Sequence, residues 1–212
     1  MPILTRSFFE VPPEQVAPRL LGKVLAARAG RSWLSGRIVE VEAYLGPHNT
    51  PPDPAAHSFR GPTPRNRILF DAPGHAYVYA IYGRYFCMNV TCEPEGRAGC
   101  ILIRALEPLS GLRQMARNRE VAADAPHALL TSGPGRLCQA LGLTRETHNA
   151  LDLTSSRSPL RIFDDGFHAP QAFVTVRIGI RHAVDWPMRF ALPGNACVSG
   201  PRRLQGNLSP VT

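Results

Sequence analysis

Proline and glycine together approach a fifth of this chain, 21 and 18 of 212 residues, and that density of breakers constrains the fold more than any other feature. Proline removes a backbone donor and fixes φ, while glycine supplies left-handed turns, so short elements joined by fixed turns are expected in place of a bundle of long helices. A hydrophobic fraction of 44% with 19% charged residues is enough to pack a core and gives no case for extended disorder. At this length one domain, 1–212, is the expectation.

Periodicity supplies the elements. Residues 10–21 place Val16, Leu20 and Leu21 at helical spacing after a double proline, and Gly22 closes the run. Residues 23–28 and 33–45 alternate apolar and polar around Ala29-Gly30-Arg31, which predicts a hairpin. Strand side chains alternate, so Ile38, Glu40, Glu42 and Tyr44 share one face of its second strand, and Val39, Val41 and Ala43 the other. Residues 46–76 are broken by prolines and read as a long functional loop. A second hairpin comes next, Tyr77–Tyr82 and Tyr85–Val90 about Gly83-Arg84, then a strand over Gly99–Leu106.

Pro108–Arg117 carries Leu109, Leu112, Met115 and Ala116 on one helical face, and 118–131 reads as a variable connection. SGPGRLCQALG (132–142) is a glycine-rich turn opening a short helix, whose first N–H groups suit a phosphate. PLRIF (159–163) and AFVTVRIGI (172–180) read as strands, and the chain from Pro193 on as loop with Arg202 and Arg203. The fold class is therefore α+β: a single compact domain on a curved, largely antiparallel sheet, an open barrel or roll, with a few surrounding helices.

Charge and cysteine usage narrow the function. The net charge is +8, from 24 Lys plus Arg against 16 Asp plus Glu, and Lys23 is the sole lysine, so nearly every cation is a guanidinium suited to phosphate. Arginine bias in a GC-rich genome gives the same count. Five cysteines, with no C-x-x-C and no zinc-type spacing, point to thiols in a reducing compartment and to no metal site. No apolar run has the length of a membrane span, and a cytoplasmic protein is expected.

Glutamates two apart on a strand also occur on plain solvent-facing surfaces. The residues downstream of Glu42 change the balance: Tyr44, His57, Arg65 and Arg67, then a hairpin holding four of the five tyrosines, with Tyr82 beside Gly83 and Arg84 at its turn. Aromatic packing between strands explains part of this clustering, but an exposed ring with a cation at a hairpin tip suits insertion between bases.

The runs GRIVEVEAYLGP (36–47), TPRNRILFDAPGHAYVYAIYGRYFCMNV (63–90), ILIRALEPLSGL (101–112), SGPGRLCQALGL (132–143) and RIGIRHAVDWPMRF (177–190) closely resemble the alkyladenine, or 3-methyladenine, DNA glycosylase family, from about Leu20 to Phe190. The resemblance implies excision of alkylated or deaminated purines from double-stranded DNA by a monomeric enzyme needing no cofactor and no metal. It implies Glu42 as the general base that activates water, and Tyr44 and Tyr79 as walls stacking on a flipped base, with His57 completing the pocket. Tyr82 resembles the intercalating residue, Asn89 the pocket asparagine that disfavours the 2-amino group of guanine, and Arg104 the pocket arginine. Ile178 and Gly179 match a backbone stretch near the pocket.

Arg65, Arg67, Arg84 and Arg136 are the candidate backbone contacts, though each alone also fits a solvated surface. The chain departs from the family pattern in a longer run between Tyr44 and His57, PHNTPPDPAA, and in Arg84, where the family often has an apolar residue. A strand-cutting glycosylase needs an amine nucleophile; only Lys23 and a Pro2 amine are on offer, so a monofunctional, water-using reaction is expected. Two other readings compete: a non-catalytic nucleic-acid binding module, and an N-glycosidase acting on nucleosides or RNA.

Overall fold

The computed structural model describes residues 1–200, so Arg202 and Arg203 lie outside the described residues. Its frame is the period-two hairpin: β1 (Val24–Ala29) and β2 (Ser32–Tyr44) pair antiparallel about Gly30 and Arg31. β2 is longer than any one partner on its outer edge. Its first half pairs with β1 and its second with β8 (Arg189–Ala191), while β5 (Gly99–Ser110) runs along its other side.

The remaining strands are β3 (Ala76–Ile81), β4 (Tyr85–Cys92), β6 (Leu160–Phe163) and β7 (Phe173–Thr175). The described residues thus form an eight-stranded antiparallel sheet in the order β3-β4-β5-β2-β1-β6, with β7 added to β8, curled into a half-barrel. Both faces of its centre are covered, so β2 from Ile38 to Ala43 is buried without a break.

Five helices close over it: α1 (Pro13–Leu20), α2 (Leu112–Arg119), α3 (His127–Thr131), α4 (Pro134–Leu141) and α5 (Arg145–His148). α1 starts on a proline, whose missing N–H costs nothing in a first turn, and buries Val16, Ala17 and Leu20. α4 opens on Gly133-Pro134, buries Leu137, Cys138, Ala140 and Leu141, and stops at Gly142 in the left-handed region. Its apolar face lies on β4 and β5, alongside Met88 and Ile103, which are fully buried at roughly 1.5–3 kcal/mol each.

The structure corrects three expectations. The helix expected at Pro108–Arg117 begins only at Leu112, because β5 continues through Ser110 opposite Ser35 and Gly111, at φ 79°, turns the chain between them. Leu109 is accordingly exposed on the strand, not on a helical face. The connection at 118–131 contains α3. The strand expected over 172–180 pairs only from Phe173 to Thr175, and Arg177 leaves the ladder to turn inward.

Where β2 meets β5 the register slips three times, once near the start between Ser35 and Gly36 and then, on either side of Glu40, between Ile38 and Glu40 and between Glu40 and Val41. The pairs are Ile38 with Leu106, Glu40 with Ala105 and Val41 with Ile103, which leaves Val39 and Arg104 each without an opposite number. Such irregularities re-aim side chains beside functional sites. Here they bring Arg104 between Glu40 and Glu42.

Candidate active site

Both glutamates of β2 are fully buried, an arrangement tolerated only when every charge is met. Glu40 is consumed by the scaffold: Oε1 accepts from Arg104 Nε at 3.0 Å and Arg189 Nε at 2.6 Å, and Oε2 from the Ser199 N–H at 2.6 Å. Glu42 is held differently. Its Oε1 accepts from the Ile178 N–H at 2.7 Å and lies 3.1 Å from Arg104 Nη1, and its Oε2 accepts from the Tyr44 hydroxyl at 2.9 Å. Burial opposes the charge on Arg104, but the two carboxylates outweigh it and raise its pKa. Burial, reinforced by the charge on Glu42, pushes the Tyr44 phenol far up, so Tyr44 keeps its proton and its O–H stays a hydrogen-bond donor to Glu42.

The three partners of Glu42 all line one cavity of about 450 Å3. His57, Tyr79, Tyr82, Asn89 and Gly179 line it as well, so every residue expected in the base pocket reaches the same space. His57 and Tyr79 meet edge to face with ring centroids 4.6 Å apart, and Tyr77 backs Tyr79 at 5.3 Å. His57 Nδ1 is 2.9 Å from the Tyr77 hydroxyl. Burial, and then Arg65, lowers the His57 pKa, so its ring is neutral at pH 7. Burial raises the phenol of Tyr79 as well, and that of Tyr77 to about 12.

The Asn89 amide is fixed at both ends, Nδ2 donating to the Tyr77 carbonyl at 3.1 Å and Oδ1 accepting from the Cys100 thiol at 3.8 Å. Cys87 and Cys100 also face the cavity, with burial holding their thiols up to about 11 and about 12.

The loop from 46 to 76 is ordered by its own side chains. Asn66 Nδ2 donates to the carbonyls of His57 at 2.8 Å and Gly61 at 3.1 Å, and its Oδ1 accepts from Thr63. This cross-brace seats His57 despite the longer run before it. Tyr82 stands at the tip of the β3–β4 hairpin, 91% exposed at φ 49°, with Gly83 next at φ 72°. Two successive left-handed residues make the tight turn that lifts the ring clear of the sheet.

The four candidate backbone arginines are exposed and do not line this cavity. Arg65 lies 5.8 Å from the centre of the Tyr79 ring, Arg84 stacks on Tyr85 at 5.0 Å, and Arg136 rides on α4, whose first residue Pro134 is at the cavity. Arg67 opens a single 3-10 turn, Arg67–Phe70.

Sequence reasoning missed Asp53 and Arg177, fully buried and joined by a two-pronged bridge of 2.5 and 3.0 Å. Nothing in a proline-rich polar loop singles out Asp53. Arg177 heads the RIGIRHAVDWPMRF run, but its strand-like setting suggests a solvent-facing cation. Among the described residues no group of three or more His, Cys, Asp or Glu side chains could hold a metal, and no helix is long and apolar enough to cross a membrane.

A family model described as methylpurine-DNA glycosylase matches residues 7–196. Among curated proteins, one from Koribacter versatilis (strain Ellin345), named "Putative 3-methyladenine DNA glycosylase", is 52% identical over 201 residues, covering 95% of each chain. One of the same name from Burkholderia orbicola (strain MC0-3) is 48% identical over 202 residues, covering 93% of this chain and 91% of its own. A third, from Nitrobacter winogradskyi, is 46% identical over 203 residues, 96% of this chain and 90% of its own.

Proposed function

Since this chain belongs to the methylpurine-DNA glycosylase family, we propose that it is a DNA-repair glycosylase which turns alkylated or deaminated purines out of duplex DNA and hydrolyses their bond to the sugar with a water activated by Glu42. The observation that carries this reading is the buried Glu42 carboxylate, gripped by Ile178, Arg104 and Tyr44 where all three line a cavity walled by Tyr44, His57 and Tyr79. Its volume of about 450 Å3 is in the range of small-molecule sites and accommodates a purine with its sugar.

The steps follow from the groups present. An everted purine stacks on the rings, offsetting the few kcal/mol lost on unstacking, and Tyr82 occupies the gap it leaves. A cationic alkylated purine gains further from electron-rich faces, and a neutral His57 adds no opposing charge. Asn89 spends one N–H on the Tyr77 carbonyl; the other is a donor, which cannot satisfy the 2-amino group of guanine. As the glycosidic bond breaks, its electron pair leaves with the purine, which departs neutral if it was an alkylated cation and takes a proton from water if it was a neutral deaminated base, while the sugar carbon takes on oxocarbenium character. Glu42 stabilises that charge and takes a proton from the water that bonds to the sugar carbon, so that the products are the free base and an abasic site.

A water mechanism also fits the placement of the amines. Lys23 Nζ is paired with Asp164 at 2.7 Å, Ile3 is bridged to Phe163 of β6, and neither Lys23 nor Pro2 lines the cavity. The 91% exposed Tyr82 favours duplex DNA over a free nucleoside, which offers no stack to fill.

Glu42→Gln is isosteric and is expected to cut base release by about 10²–10⁴-fold while keeping or tightening binding to damaged duplex. Release is measured from duplexes carrying 3-methyladenine, 7-methylguanine, hypoxanthine or ethenoadenine, and from the nucleosides. An active Glu42→Gln enzyme, or equal release from nucleosides, overturns the reading.

A further inference from the structure

Asp53 and Arg177 have no part in the chemistry just described, yet they join three of the segments that shape the cavity. We infer that this buried pair is a positioning clamp that fixes the Glu42 carboxylate relative to the wall ring of Tyr44; the inference rests on the role proposed above for Glu42.

Arg177 reaches β2 from the far end of the chain and engages it at consecutive residues. Its Nη1 donates to the Ala43 carbonyl at 3.0 Å, between the base and the wall residue, and its guanidinium lies 4.6 Å from the centre of the Tyr44 ring. The next residue, Ile178, supplies the N–H that Glu42 accepts at 2.7 Å. A displacement of Arg177 therefore moves the Tyr44 face and the Glu42 donor together. Asp53 closes the clamp from the other side: Oδ2 accepts from the Leu45 N–H at 3.2 Å and Oδ1 from the Ala55 N–H at 3.0 Å, two residues before His57. One ion pair thus joins the end of β2, the loop that delivers His57 and the segment 177–182 along the cavity.

A pair with both side chains fully buried is a poor device for stability alone, since apolar residues of similar volume serve as well or better. What a guanidinium–carboxylate fork adds is fixed geometry, two parallel bonds in one plane. Geometry is what a general base needs, because a misplacement of about 1 Å at a reacting centre costs roughly 10²-fold in rate.

The test compares Arg177→Lys, which keeps the charge but not the fork, with Asp53→Asn, which keeps the shape but not the charge, and with the double variant. Single-turnover release is monitored from a duplex holding one hypoxanthine, and Kd is measured for the same duplex bearing a tetrahydrofuran abasic analogue. Each single variant is expected to release base about 10²-fold more slowly, with Kd within about twofold of the parent and the double variant no slower than the worse single. Release within about twofold of the parent overturns the clamp, as does a fall in binding that matches the fall in rate. Failure of both single variants to fold overturns it too, because the pair then holds the fold and not the base. Glu42→Gln run alongside separates the two claims. If it is inactive while the clamp variants are active, only the clamp falls; if it is active, the Glu42 reading falls and takes the clamp with it.

Discussion

Glu40 and Glu42 are two residues apart on one strand, equally buried and both in contact with Arg104, yet their surroundings assign them different work. Glu40 spends its oxygens on Arg104, Arg189 and the Ser199 N–H, of which only Arg104 lines the cavity. Neutralising it leaves Arg189 buried beside an amide, and Glu40→Gln is expected to lower folding stability by about 3–5 kcal/mol in denaturant titration. Stability unchanged within about 0.5 kcal/mol would show that the network relaxes around the loss. Glu42→Gln should leave the midpoint far closer to the parent and remove activity instead. The alternation of β2 is enough to put both carboxylates and Tyr44 on one face. It cannot rank the two glutamates, because the ranking depends on Arg189, Ser199 and Ile178, all supplied from more than a hundred residues away.

At the scale of elements, the short-range signals are the legible ones. The turn glycines, the tyrosine hairpin and the glycine-proline start of α4 each carry their cause within a few residues. β8 and the true end of β7 are not legible, since three-residue strands exist only by virtue of the β2 edge they complete. The prolines of the loop from 46 to 76 announce its irregularity, but the Asn66 brace inside it carries no periodic signal and the Asp53–Arg177 bridge is tertiary. The β3–β4 tip carries a prediction of its own. Tyr82 is 91% exposed and an alanine keeps the same left-handed cost, so Tyr82→Ala should leave folding intact. It should nevertheless weaken binding to an abasic-analogue duplex by about 1–3 kcal/mol, read by fluorescence anisotropy. An unchanged affinity removes the ring from the DNA interface.

Taken whole, the molecule keeps its excess charge outside. The buried carboxylates Glu40, Glu42, Asp53 and Glu93 sit among Arg104, Arg177, Arg189 and the half-exposed Arg97, so among the described residues the cationic surplus is carried by side chains outside the core. Duplex binding should therefore fall steeply with salt. If Arg65, Arg84 and Arg136 each contact a phosphate, each alanine variant lowers the slope of log K against log salt by about 1. An arginine whose loss leaves that slope unchanged is ordinary solvated surface.

The grip on Glu42 comes from residues 44, 104 and 178, three places that meet only after β2, β5 and the segment beyond β7 have closed on one another. A chain emerging from the ribosome makes residues 44, 79 and 82 well before the peptide that completes the grip on the carboxylate. On the mechanism proposed above, base release therefore requires synthesis to have passed Ile178.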